Sequence, residues 1–192
     1  MCIGINALAV KGDDRVYRDE VNSGHGDLIE ERGLRDDDLF HRSFVRLEAR
    51  PLGSLTSLDV KDWEIAVEED GTLPAWFEEE RDIWKDRLMG DVLDIVKGII
   101  RTGRFDGSLE LGGTQVKDLG QLKSVGGDLD LGGTQVKDLG QLKSVGGDLY
   151  LGGTQVKDLG QLKSVGGDLY LGGTQVKVTD KVRKMVKGEI YK

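Results

Sequence analysis

From residue 107 onwards leucine and valine return at fixed offsets. In the unit that starts at Gly127 the apolar positions are Leu129, Leu131, Val136, Leu139, Leu142 and Val145. The same offsets hold in the units that start at Gly107 and Gly147, and the unit at Gly167 keeps them through Val176; the period is 20 residues. The Leu-x-Leu alternation predicts a short strand with both leucines on one side. Past Gly132 and Gly133 the interval becomes three residues, from Val136 to Val145. That spacing predicts a 3₁₀-like or extended return path and not an α-helix. A unit this short cannot bury its apolar face alone, so the copies are expected to stack into a solenoid.

The first three copies differ only at their second and fourth residues. With the fourth copy, one column reads Ser108, Asp128, Asp148, Asp168 and the other Glu110, Asp130, Tyr150, Tyr170. Side chains alternate along a strand, so inward leucines place both columns outward, and stacking at about 4.8 Å turns each into a ladder. Such positions either drift because packing does not object to change, or form a face that contacts a partner. On the second reading the tyrosines are the anchors and Asp128, Asp148 and Asp168 set the polarity of the face, with Glu110 and Asp130 completing it.

Written as GxxLxLxxTxV, the unit resembles the leucine-rich repeat pattern LxxLxLxxNxL over roughly residues 107 to 192. The resemblance implies parallel strands joined by compact return arcs. Thr114, Thr134, Thr154 and Thr174 stand at the asparagine position, so hydroxyls are expected to bond the turns. Glycine replaces the leading leucine, which implies a short, flat variety. A parallel β-helix with three short faces is the nearest alternative. Gly112, Gly113, Gly126 and Gly127 are expected in backbone conformations that a side chain would strain. The lysines from Lys117 to Lys163 read as a solvated rim interleaved with Asp118, Asp138 and Asp158, and Gln115, Gln135, Gln155 and Gln175 as a stack able to exchange amide hydrogen bonds.

After Val178 the pattern gives way to TDKVRKMVK, where Thr179 or Asp180 is suited to cap a short helix with Val182, Met185 and Val186 on its apolar side. The following GEIYK mimics GDLYL and predicts a partial fifth rung, with Glu189 in the acidic column and Tyr191 extending the tyrosines. An end strand of this kind offers an edge through which two copies of the chain could pair.

Residues 1 to 73 carry no repeat. CIGINALAV and RVYRDEV read as two strands joined by a turn, residues 27 to 40 as one or two short helices, and SFVRLEARP and DWEIAVEED as further strands ended by the Asp70-Gly71 turn. Pro74 suits the start of a helix running to about Ile100. Trp76, Phe77, Ile83, Trp84, Leu88, Val92, Ile95, Val96 and Ile99 lie along its apolar stripe. The expected organisation is an α+β head (1–73), a connecting and capping helix (74–106), the solenoid (107–177) and a C-terminal cap (178–192), an α/β protein overall. The head, with its Cys-x-Gly-Ile-like opening, GLRDD segment and DGTLPAWF turn, resembles uncharacterised heads that precede short repeats in phage and prophage proteins. That resemblance implies one head carrying interchangeable repeats.

Charge and composition narrow the function. The net charge of −8, with acids and bases interspersed, disfavours general nucleic-acid binding. No apolar run reaches the length of a membrane span and the start lacks a signal-peptide pattern, so a cytoplasmic protein without membrane partners is expected. One cysteine excludes an internal disulfide and a multi-cysteine zinc site. Removal of Met1 would make Cys2 an N-terminal nucleophile, and MCIGIN is loosely similar to the MCGI start of glutamine amidotransferases, whose glycine falls one position earlier. His25 and His41 match no recognised metal spacing, and Asp36, Asp37 and Asp38 read as a helix start. No phosphate-binding loop, serine-hydrolase elbow or zinc-protease motif is present in the sequence. The expectation is a non-enzymatic module that binds a protein through its strand face and needs no cofactor. An amidohydrolase-like enzyme centred on Cys2 and a self-assembling structural protein are the alternatives.

Overall fold

A computed structural model describes residues 5–18, 28–30, 32–34, 43–67 and 73–192. Strand β1 (Ile5–Val10) pairs antiparallel with β2 (Phe44–Pro51), which pairs antiparallel with β3 (Trp63–Val67). Apolar residues such as Phe44, Val45 and Leu47 favour this half-buried sheet. Of the expected hairpin after β1 the described residues show one bridge, in which Leu8 and Tyr17 exchange backbone hydrogen bonds of 2.8 Å, and residues 19–21 of its second strand lie outside the described residues. Residues 28–30 are helical.

The helix expected from Pro74 is broken. Pro74 is the N-cap of α1 (Ala75–Glu79), Glu80 leaves the helical region at φ −118°, and α2 (Arg81–Thr102) follows. Within α2 the buried stripe is narrower than the spacing suggests. Trp84, Leu88, Val92, Val96 and Ile99 are buried, whereas Ile83 is half exposed and Ile95 only partly covered. Trp76 meets Phe77 and Trp84 edge-on, so aromatic packing joins the two helices. Gly103 ends α2 at φ +72°, the left-handed conformation that glycine adopts without penalty.

The units that start at Gly107, Gly127 and Gly147 each contribute one strand to each of two parallel sheets, and the unit at Gly167 contributes a strand to one and a single bridge, Val186 to Val165, to the other. One sheet contains β4 (Arg104–Phe105), β6 (Ser124–Val125), β8 (Ser144–Val145) and β10 (Ser164–Val165). The other contains β5 (Leu109–Glu110), β7 (Leu129–Asp130), β9 (Leu149–Tyr150), β11 (Leu169–Tyr170) and the terminal β12 (Ile190–Tyr191). Matching positions stack in register, Leu129 on Leu149 and Val125 on Val145. The return path is therefore neither 3₁₀ nor wholly irregular. Every third residue is buried because the arc turns corners, and its last pair, Ser-Val, is a second strand. The threonine hydroxyls bond the turns as expected, Thr134 Oγ1 donating to the Leu131 carbonyl at 2.7 Å. The arc corner is held by Asp118, Asp138 and Asp158, each of which accepts the amide two residues on, as Asp138 does from Gly140 at 2.9 Å.

The glycine expectations divide. Gly113 has φ +72°, as do its equivalents closely. Gly112, Gly126 and Gly127 have no left-handed backbone; Gly126 and Gly127 are small because the neighbouring rung is close. A Cβ on Gly126 would collide with the Asp106 carbonyl oxygen, and one on Gly146 with the Gly126 carbonyl oxygen. The glutamine column is exposed along its length.

Beyond Lys177 the chain forms α3 (Asp180–Met185), whose N-cap Thr179 accepts from the Val182 amide, and then β12. At the other end the head adds a contact that the repeat pattern does not contain. Leu55 N donates to the Asp118 carbonyl, Lys117 N donates to the Gly53 carbonyl, and Ser54 Oγ meets Asp118 Oδ1 at 2.6 Å. The loop between β2 and β3 thus lies on the first return arc as an extra half-rung. One continuous apolar core runs from Ile5 through α2 and every rung to Val186.

Candidate functional site

The two variable columns lie side by side on the five-stranded sheet, and their chemistry differs. Between adjacent rungs the Leu129 amide donates to the Asp148 carbonyl, and the Leu149 amide to that of Asp168. The amide of the aspartate itself is served by a side chain from the rung before. Asp148 N donates to Asp128 Oδ1 at 2.7 Å, Asp168 N to Asp148 Oδ1 at 2.7 Å, and Glu189 N to Asp168 Oδ1 at 2.8 Å. In the first pair the acceptor is Ser108 Oγ, 3.0 Å from Asp128 N. The column thus tolerates serine or aspartate because both supply one oxygen at that point, a requirement that free surface drift would not impose. These aspartates build the ladder, and their contribution to the polarity of the face falls mainly to the remaining oxygen.

That oxygen holds the second column. Tyr150 donates its hydroxyl to Asp148 Oδ2 at 3.0 Å, and Tyr170 to Asp168 Oδ2 at 3.4 Å. The rings stack nearly parallel, Tyr150 on Tyr170 at 4.4 Å and 8°, and Tyr170 on Tyr191 at 4.8 Å and 11°. The register Tyr170 to Tyr191 establishes the fifth rung expected from GEIYK. Tyr191 is 48% exposed, whereas Tyr150 and Tyr170 are half-buried along the stack. Desolvation, followed by the hydrogen bond and charge of Asp148, pushes the Tyr150 phenol well above its ordinary range. Tyr170 shifts the same way, through desolvation first and then the charge of Asp168.

At the head-proximal end the column changes from phenols to carboxylates. Glu110 pairs in register with Asp130, and Asp130 with Tyr150. Desolvation and the neighbouring Asp130 and Asp128 carboxylates hold the Glu110 carboxyl above the usual range. Asp130 Oδ1 accepts the Gly132 amide at 2.7 Å and so serves its own turn. The face therefore runs from two half-buried carboxylates to three stacked phenols. All the candidate residues, Glu110, Asp128, Asp130, Asp148, Asp168, Tyr150, Tyr170 and Tyr191, fall on this one sheet.

Cys2, His25, His41, the Asp36 to Asp38 run and the Asp70-Gly71 turn lie outside the described residues. Among the described residues no group of three or more His, Cys, Asp or Glu side chains could hold a metal ion, and no helix is long and apolar enough to cross a membrane. The serine strands of the second sheet are marked in the sequence only by the recurring Ser-Val before each Gly-Gly. The chain matches no family model, and neither a curated protein nor a solved structure is detectably similar to it.

Proposed function

We propose that the protein is a non-enzymatic recognition module that binds a protein partner through the tyrosine ribbon of its five-stranded sheet. The carrying observation is that Tyr150, Tyr170 and Tyr191 are already stacked and that two of their hydroxyls are already oriented by aspartates. Ordering a mobile side chain at an interface costs roughly 0.5–1.5 kcal/mol, and a ribbon held by its own scaffold avoids much of that cost. Tyrosine combines a large apolar ring with a polar tip, which suits a surface that is wet when free and dry when bound. The head and its helices close the first rung and supply a base on which rungs are added. The modular plan seen in phage-like heads and the strand-face presentation of leucine-rich repeats belong to this same reading.

The test uses the full chain, because head and solenoid share one core. Partners captured by the wild-type protein are compared with those captured by the double variant Tyr150→Ala/Tyr170→Ala. The scaffold tolerates other side chains in this column, since Glu110 and Asp130 fill it in the first two rungs. Loss of the stack is expected to cost about 1–2 kcal/mol of stability and to leave the far-ultraviolet circular dichroism unchanged. A partner bound by the wild type is expected to be lost from the variant. Equal capture by both proteins would remove recognition from this face.

A further inference from the structure

The last return arc is covered differently from the others. The arc of the unit at Gly127 is flanked by arcs on both sides. The arc around Leu159 and Leu162 meets α3 on its outer side, because the fourth unit leaves the repeat after Lys177. Six helical residues cannot reproduce an arc. Leu159 and Leu162 retain 6% and 3% exposure where Leu139 and Leu142 have 1% and none, and Met185 is only partly buried against the core. A cleft of about 360 Å³ opens between this arc and α3, floored by Leu159, Val176, Val182 and Met185. A second of about 420 Å³ lies alongside it and shares Gly160, Lys181 and Met185.

The rim of this paired cleft is basic. Lys157, Lys177 and Lys181 line the first part, and Lys163 and Lys184 join Lys181 along the second. The chain as a whole is acidic, so this is a local reversal. It has a cause in the sequence. Lysine is followed by aspartate at Asp118, Asp138 and Asp158, but by Val178 in the fourth unit, and α3 presents Lys181 and Lys184 where a further arc would bring its own aspartate. The one carboxylate lining the cleft, Asp158, uses Oδ1 to accept the Gly160 amide at 2.8 Å. Among the described residues none of these lysines forms an ion pair.

We propose that this cleft is a second binding site, independent of the tyrosine ribbon, for an acidic peptide segment of a partner protein that carries apolar residues between its carboxylates. Charge complementarity selects the occupant. The leucine, valine and methionine floor takes the apolar side chains, and lysines on both walls meet carboxylates that lie to either side. A simple polyanion would gain the rim and leave the floor wet; a purely apolar peptide would gain the floor and leave the lysines unmatched.

The probe is a fluorescein-labelled synthetic peptide in which glutamate and leucine alternate, titrated with the full-length protein and read by anisotropy. Polyglutamate, a lysine-leucine peptide of the same length and a single-stranded oligonucleotide serve as comparisons. Saturable binding of the glutamate-leucine peptide is expected, stronger than that of any comparison ligand. The charge-reversed variant Lys157→Glu/Lys177→Glu/Lys181→Glu, whose changes are at solvated positions, is expected to bind about tenfold more weakly or worse. Met185→Ala is expected to weaken binding without altering charge, and Tyr150→Ala/Tyr170→Ala to bind as the wild type does. Absence of binding to the wild type, equal binding by the charge-reversed protein, or equal binding of polyglutamate or the oligonucleotide would overturn the proposal. If Tyr150→Ala/Tyr170→Ala abolished peptide binding, the peptide would be assigned to the ribbon and the cleft proposal would fall.

Discussion

Replacing Gly146 with alanine is expected to destabilise the protein by more than about 3 kcal/mol, the upper end of what single substitutions do. The new methyl group has nowhere to go. It would collide with the Gly126 carbonyl oxygen of the preceding rung, and that carbonyl belongs to backbone fixed by hydrogen bonds on both sides. Relief requires the rungs to separate, which would loosen the ladder in which Gly146 N bonds the Val125 carbonyl at 2.9 Å and Gly166 N bonds that of Val145 at 2.9 Å. Gly172→Ala provides the matched control, since no atom lies within 4 Å of its added methyl and its backbone is not left-handed. Its effect is expected to stay within about 0.5 kcal/mol. Chemical denaturation of both variants checks the pair. Similar losses would mean that the rungs yield easily and that close approach does not explain the glycine column.

The second large effect is expected at Asp148. Its two oxygens serve two partners: the Asp168 amide of the next rung and the Tyr150 hydroxyl. Asp148→Ala orphans both and is expected to cost about 1.5–3 kcal/mol, the range for hydrogen bonds to a charged group. Asp148→Ser is expected to cost less than half as much, because a serine oxygen already performs the rung-to-rung bond at Ser108. Melting temperatures of the two variants provide the comparison. Equal losses would show that the rung-to-rung amide bond contributes little and that Asp148 acts through the Tyr150 hydroxyl instead.

The solenoid was legible in the sequence because its apolar period is strict and each unit is too short to fold alone. Tyr191 could be placed in its column from GEIYK alone, since the alternation of in and out survives one inserted residue. The second sheet was not legible. Two-residue strands carry no periodicity, and a spacing of three suits both a 3₁₀ turn and an arc that turns corners. Nor could the sequence reveal that Asp128, Asp148 and Asp168 bond the next rung, because an outward aspartate and one turned along the stack occupy the same position in a strand. The break at Glu80 has no glycine or proline to mark it, and Ile83, placed in the stripe by spacing, sits about 100° around α2 from the row of Trp84, Leu88 and Val92 and is half exposed. The half-rung formed by residues 53–55 depends on contacts between distant parts of the chain. The basic cleft was visible only as the replacement of aspartate by Val178; its shape needed the angle of α3.

The tyrosines form a stacked, hydrogen-bonded ribbon in the free protein, and their ionisation reports this directly. In the fold the Tyr150 and Tyr170 phenols are held above their ordinary value, so the native state keeps protons that an unfolded chain releases near pH 10. Their contribution to stability is therefore present in full below about pH 10 and is lost as pH rises through the folded values. An ultraviolet titration of phenolate absorbance on the native protein, with Tyr150→Phe alongside, separates the outcomes. The ribbon predicts a late-ionising component that the substitution diminishes, because it takes Tyr150 out of it and leaves Tyr170. Ionisation of all four tyrosines together near the ordinary value, unchanged in Tyr150→Phe beyond the loss of one phenol, would contradict it.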